Sequence, residues 1–202
     1  MAVANKTQQS TALLALQNCA ASSQVISGTA AVTTVIGASV LINFGRTVAT
    51  AYTVSPTFRI EGQISGFPRW AVLAQFTPVL GASLTYTAVS AGGTAGTKTV
   101  TATSITNFAV QDIIYLKNGT IANGEFARIA GISGSVITAE DNFVNNQTTG
   151  NSTNIARGAE IYVAQLDLTS IVNMRLVVDN SANATASGVD VAAWYSTFDN
   201  FS

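Results

Sequence analysis

Histidine is absent from the 202 residues, cysteine occurs once, proline three times, and charged side chains make up only 9% of the chain. Each shortage excludes something. Without histidine there is no ready base for a Ser or Thr nucleophile, and only lysine or a carboxylate could replace it. Lys6, Lys98 and Lys117 stand in polar or strand-edge contexts that suit solvated charges. Without histidine or a cysteine pair there is no zinc-type ligand set. The lone Cys19 cannot close an internal disulfide, and it reads as a small buried or half-buried thiol in a chain made in a reducing cytoplasm. Nine Lys and Arg against ten Asp and Glu give a net charge of −1, which is no electrostatic footprint for a phosphate backbone. No nucleic-acid partner is expected.

Long apolar runs are missing as well. The strongest, Ala12 to Leu16 and Val35 to Phe44, fall short of the ~18 residues that cross a bilayer. No membrane partner is expected. Leu13, Leu14 and Leu16 precede Cys19 as in a lipoprotein leader, but the run is short and Gln17 and Asn18 occupy positions that want small apolar residues. Asn-x-Ser/Thr triplets begin at Asn5, Asn118, Asn146, Asn151, Asn183 and Asn200. In a chain this rich in Asn, Ser and Thr several arise by chance, and without a leader glycosylation is a minor option.

What is present is β-forming. Phe58, Ile60 and Ile64 alternate with Arg59, Glu61 and Gln63, the period of a half-buried strand. Val40, Ile42 and Phe44 repeat the pattern, and Trp70 to Phe76 is apolar between Pro68 and Pro78. The short Ser65-Gly66-Phe67-Pro68 link predicts an antiparallel hairpin. Residues 81–97 are small and flexible and read as a connector. Four short apolar runs follow, Lys98 to Ile105, Asp112 to Leu116, Glu125 to Ile132 and Ser135 to Thr138. Asn118-Gly119, Asn123-Gly124 and Ser133-Gly134 separate them, dipeptides that supply positive φ in tight turns. Further strands are expected over Glu160 to Leu168, Val172 to Asp179 and Val189 to Ser196. No stretch carries helical spacing long enough for an amphipathic helix.

The expected fold is therefore all-β, with a β-sandwich, jelly-roll-like base from residues 24–80 and 160–202. Residues 81–159 form an inserted small β-module, and residues 1–23 a short N-terminal arm of one or two helical turns or extended chain. An isolated segment of that length cannot repay its own ordering entropy. Leu13, Leu14 and Leu16 need a surface, either this chain's own core or a neighbouring subunit, and they are the candidate interface residues.

Candidate chemistry is sparse. Adjacent Glu140 and Asp141 point to opposite faces of an extended chain and suit a solvated turn rather than paired catalysis. Glu61 with Asp167, or Glu125 with Glu160, could meet only in three dimensions. Arg59 and Glu61 share a strand face and suit a cross-strand ion pair. Asp141, Asn145 and Asn146 offer at most a weak ion site, because the regular acid spacing that calcium needs is missing. Gly92, Gly93 and Gly96 lack the lysine and helix of a phosphate loop. Trp70, Tyr86, Tyr115, Trp194 and Tyr195 could build a sugar-stacking platform, although tryptophans more often fill cores. No cofactor, metal or catalytic residue is expected.

A soluble monomer usually shows roughly a quarter to a third of its surface as charged groups. Here the outward strand positions are Thr, Ser, Asn, Gln and Ala, which can be buried against a partner without the desolvation cost of charge. That suits a homo-oligomer or lattice. The strings Val40 to Pro56, Phe58-Arg-Ile-Glu and Trp70 to Thr77, with Asp112 to Leu116 and Glu125 to Thr138, resemble β-modules of tailed-bacteriophage virion proteins. The similarity covers most of residues 35–198 and is one of style and short strings. It implies a non-enzymatic capsid-decorating (cement) protein in the virion, bound to the major capsid protein or other virion proteins. A neck or tail component, and a carbohydrate-binding receptor module, are the alternatives.

Overall fold

The computed structural model describes residues 11–46, 54–78, 86–147, 153–157, 160–183 and 188–199. The strands are β1 (Thr11–Cys19), β2 (Gln24–Ile26), β3 (Ala30–Ala31), β4 (Val35–Arg46), β5 (Thr57–Ile64), β6 (Trp70–Phe76), β7 (Tyr86–Gly92) and β8 (Thr99–Ala102). They continue as β9 (Ile113–Lys117), β10 (Glu125–Ser133), β11 (Val136–Ala139), β12 (Asn154–Arg157), β13 (Glu160–Asp167), β14 (Ile171–Asp179) and β15 (Val189–Asp199). Among the described residues the one helical element is a 3-10 turn at Ile121–Asn123, and no helix is long and apolar enough to cross a membrane. The protein is all-β with three antiparallel sheets.

Alternation explains the first two sheets. One runs β1-β15-β4-β13 and the other β2-β14-β5-β6, with β3 also pairing β14. Strands from residues 24–76 thus share both sheets with strands from 160–199. Val40, Ile42, Phe44, Val191 and Leu166 from the first sheet meet Phe58, Ile60, Met174, Leu176 and Val178 from the second in one buried cluster. These side chains are period-two neighbours, so each sheet turns one face inward and the pair forms a sandwich. Phe44 and Phe58 join the sheets directly, with ring centroids 4.8 Å apart. The link at Ser65 to Pro68 makes the antiparallel β5–β6 hairpin, with Gly66 at φ +73°.

The third sheet closes as a six-stranded barrel in the order β10-β11-β8-β7-β12-β9. Its own core holds Val100, Ile114, Leu116, Ile129, Ile137 and Ile155, separate from the sandwich cluster. Two of its strands depart from the expected pattern. The presumed connector at 81–97 contains β7, whose small residues still alternate, with Thr87 and Val89 facing inward. Polar-flanked β12 pairs both β7 and β9 and closes the ring. The turn expectation holds at Gly134, with φ +56° in the β10–β11 hairpin. It fails at Gly124, whose φ is −64° because the chain there caps the 3-10 turn.

The N-terminal segment is neither helical nor a free arm over its described part. It is edge strand β1, paired along β15, with register shifts at Ala12/Leu14 and Leu14/Gln17. Those bulges bury the adjacent Leu13 and Leu14 in the sandwich core. Residues 1–10, including Lys6, lie outside the described residues.

Candidate functional site

The barrel stands on the outer face of the β1-β15-β4-β13 sheet. Its foothold is Tyr115 of β9, fully buried and packed over Gly45 of β4, where a Cβ would come within 2.5 Å of the ring. The Tyr115 hydroxyl donates to Asp190 Oδ2 at 2.6 Å, and Asn18 Nδ2 donates to Asp190 Oδ1 at 2.8 Å. One buried carboxylate thus ties β9 of the barrel to β15 and β1 of the base. Burial, then the Asp190 charge, pushes the Tyr115 phenol well above its ordinary range. Gly124 sits against Leu16, which leaves the 3-10 turn room to approach β1.

Beside this foothold the two units leave a groove of about 630 Å³. Its floor comes from the base, with Leu16, Asn43, Ile161, Ala192 and Trp194. Its wall comes from β10 and the turn after β11, with Glu125, Phe126, Arg128, Glu140, Asp141 and Val144. Phe126 stacks on Tyr115 with centroids 4.7 Å apart, so the aromatic wall is braced from behind. Glu125 Oε1 accepts the backbone N–H groups of Val144 and Asn145 at 2.7 and 2.6 Å. Burial nonetheless holds the Glu125 carboxyl above the usual carboxylate range. Glu125 Oε2 and Asn43 Oδ1 are buried with no hydrogen-bond partner. Unmet buried acceptors of this kind cost about 1–3 kcal/mol each. Arg128 faces Glu140 at 3.7 Å across largely solvated side chains.

The residues singled out from sequence are dispersed. Leu13 and Leu14 belong to the chain's own core, while Leu16 lines the groove. Glu61 is held by Arg175 at 2.7 Å and by Arg59 at 3.5 Å on the other outer face of the sandwich. Arg59 also reaches Asp179 at 3.3 Å, and Arg175 lies 4.1 Å above the Trp70 ring. Asp167 instead accepts from the Thr169 N–H at the end of β13, so it does not join Glu61. The side chain of Glu160 lies outside the described residues. Glu140 and Asp141 are exposed, as a turn requires, yet they form part of the groove wall.

The five aromatics do not make one platform. Trp70 lies under Arg175, Tyr86 is exposed on the barrel, Tyr115 is buried, Tyr195 packs on the sandwich core, and Trp194 alone lines the groove. Asn118 and Asn183 are buried, which closes two of the Asn-x-Ser/Thr triplets to modification, and Asn146 Oδ1 accepts the Ala95 N–H. Cys19 is fully buried against Val178 and Ser23, and burial raises its thiol pKa. Among the described residues no group of three or more His, Cys, Asp or Glu side chains could hold a metal. Sequence reasoning missed Asn43 and Phe126, because the groove exists only where the barrel and the base, each with its own buried cluster, meet.

Comparison with known proteins yields no matching family model, no matching curated protein and no matching solved structure.

Proposed function

We propose that the protein is a non-enzymatic structural subunit of a phage particle, most consistent with a capsid decoration or cement role. The base lies on the shell or against a neighbouring copy, and the barrel projects. The observation that carries this reading is the uncovered part of the β1-β15-β4-β13 sheet. Beyond the barrel, Val163 is 63% and Ile161 41% exposed on β13, an edge strand without Lys or Pro. The strand carries charge only at its ends, Glu160 and Asp167, and apolar edges of that kind invite pairing, which soluble proteins normally prevent with charge, bulges or a covering segment. In an assembly, a neighbouring chain supplies the cover.

The jelly-roll-like reading of the base belongs to the same proposal. Counting β1, β2, β4, β5, β6, β13, β14 and β15 as strands one to eight, the sheets run 1-8-3-6 and 2-7-4-5. That order supports two interlocked Greek keys, an arrangement that viral shell and lectin domains both use. Since one fold serves both, the edge and not the topology argues for assembly.

The test is Val163→Lys, which puts a gatekeeping charge on the edge and leaves the core untouched. The unaltered chain should self-associate or sediment with purified particles, and the variant should fold with the same Tm yet lose that association. A freely monomeric wild-type chain with no affinity for shells would refute the proposal. Copy number separates decoration, with copies spread over the shell, from a neck or tail position, with a single ring.

A further inference from the structure

The junction groove has a chemistry that the barrel and base do not satisfy between them. Asn43 Oδ1 and Glu125 Oε2 are both buried acceptors without a donor, and both residues line it. The two oxygens themselves are enclosed by protein, and the Glu125 carboxylate is held in place through Oε1 by the Val144 and Asn145 N–H groups. The wall carries three carboxylates, Glu125, Glu140 and Asp141, against the single guanidinium of Arg128. Glu140 answers Arg128, and Asp141 is exposed with no ion pair among the described residues. The charged groups left over are acceptors.

A complementary occupant is therefore a donor that brings positive charge and no acceptor. Ammonium and guanidinium groups meet that description, whereas sugar hydroxyls can donate to the carboxylates but bring no charge to offset theirs. The aromatic side chains point the same way, since Trp194 and Phe126 flank the groove and a cation over an aromatic face is attracted by its quadrupole. The rim is apolar, with Val144 at 81% and Ile161 at 41% exposed. It can cover the aliphatic stem of a long basic side chain and its neighbours.

We propose that the groove between barrel and base is a docking site for an arginine or lysine side chain carried on an apolar-flanked segment of a neighbouring subunit. This deepens the assembly reading and rests on it for the partner being a subunit. The groove volume of about 630 Å³ exceeds what one head group fills, and Ile161 continues along β13 to exposed Val163. An extended partner segment along that rim would bury both. A free amine would cover neither.

The test is a titration of the purified full chain, followed by the Trp194 indole N–H resonance, with an acetylated Ala-Val-Arg-Val-Ala amide. Its lysine and citrulline counterparts and maltohexaose are run in parallel. Citrulline keeps the shape of arginine and removes the charge. The arginine and lysine peptides should shift the resonance saturably, with citrulline about tenfold weaker or worse. Asp141→Asn, a change to an exposed unpaired side chain, should weaken arginine binding severalfold. Adding Glu125→Gln should reduce it further, provided the double variant keeps the wild-type Tm. Where that variant does not fold, Asp141→Asn alone decides. Equal binding of citrulline, binding of the saccharide alone, no binding at millimolar peptide, or an unchanged Asp141→Asn affinity overturns the proposal. If Val163→Lys leaves particle association intact or no association exists, while the peptides still bind, the assembly reading falls and the cation site stands.

Discussion

Replacing Tyr115 with Phe removes a single oxygen from the join between barrel and base. The ring keeps its stack on Phe126 and its contact with Gly45, so little apolar packing is lost. What disappears is a buried 2.6 Å hydrogen bond to Asp190, which is 1% exposed and keeps the Asn18 amide as its side-chain donor. Hydrogen bonds to charged groups contribute about 1.5–3 kcal/mol, and the acceptor left behind is shielded from water. The expected loss is about 2 kcal/mol. For a chain of this size that corresponds to a fall in Tm of roughly 4–8 °C, measured by calorimetry at pH 7. Tyr86→Phe, on an exposed ring, should change stability by less than about 0.5 kcal/mol. The pH dependence gives a second check. The folded phenol titrates far above its unfolded value, so its contribution is fully present below about pH 10 and declines as pH rises beyond it. The gap between wild type and Tyr115→Phe should therefore narrow from pH 10 to 11. A loss below about 0.5 kcal/mol at pH 7, or a gap that widens in alkali, would refute the account of this join.

Two further outcomes follow from the same packing. Gly45→Ala drives a Cβ to 2.5 Å from Tyr115 Cγ and 2.7 Å from its Cβ, the inflexible end of that side chain, and should cost about 1–3 kcal/mol in urea unfolding. Gly28→Ala meets nothing within 4 Å and should be neutral or slightly stabilising; equal effects at both sites would remove the steric argument. Cys19, buried with a raised thiol pKa, should react with a thiol-specific chromogenic disulfide only after unfolding. Rapid stoichiometric labelling of the folded chain would contradict its placement.

How much of this was legible depended on whether a strand carried a contrast between its faces. At Phe58 to Glu61 the inward residues are large and the outward ones charged, and that part of β5 can be read directly, whereas Ile64, expected on the inward face, is 45% exposed at the strand end beyond the irregularity at Ile60/Glu61. In β7 the inward residues are Thr87 and Val89 and the outward ones after Tyr86 are small, so the alternation is real but quiet, and the segment passes for a linker. In β1 two bulges place successive leucines on the core side, which breaks the period-two signal and imitates a helical or free arm. The groove was illegible for a different reason. Asn43 and Trp194 come from the base, Glu125 and Phe126 from the barrel, and nothing in their spacing announces that Tyr115 and Gly45 bring the two units together.

The scarcity of charge acquires direction only in three dimensions. Nine basic and ten acidic residues would be too few to solvate both outer faces of the sandwich evenly, and they are not spread evenly. On the β2-β14-β5-β6 sheet, Arg59, Glu61, Arg175 and Asp179 form a ladder across β5 and β14, with Trp70 of β6 beneath Arg175. Each of these pairs is partly exposed and individually worth little to stability. Together they give that face charges which a partner would have to strip of water. The opposite sheet presents Asn43, Ala192, Trp194, Ile161 and Val163, and the barrel covers part of it through Tyr115 on Gly45 and the one buried carboxylate of Asp190. Desolvating the remainder costs little. A partner of this chain therefore gains most by adding to the face on which the barrel already stands, and the ladder side is left to solvent.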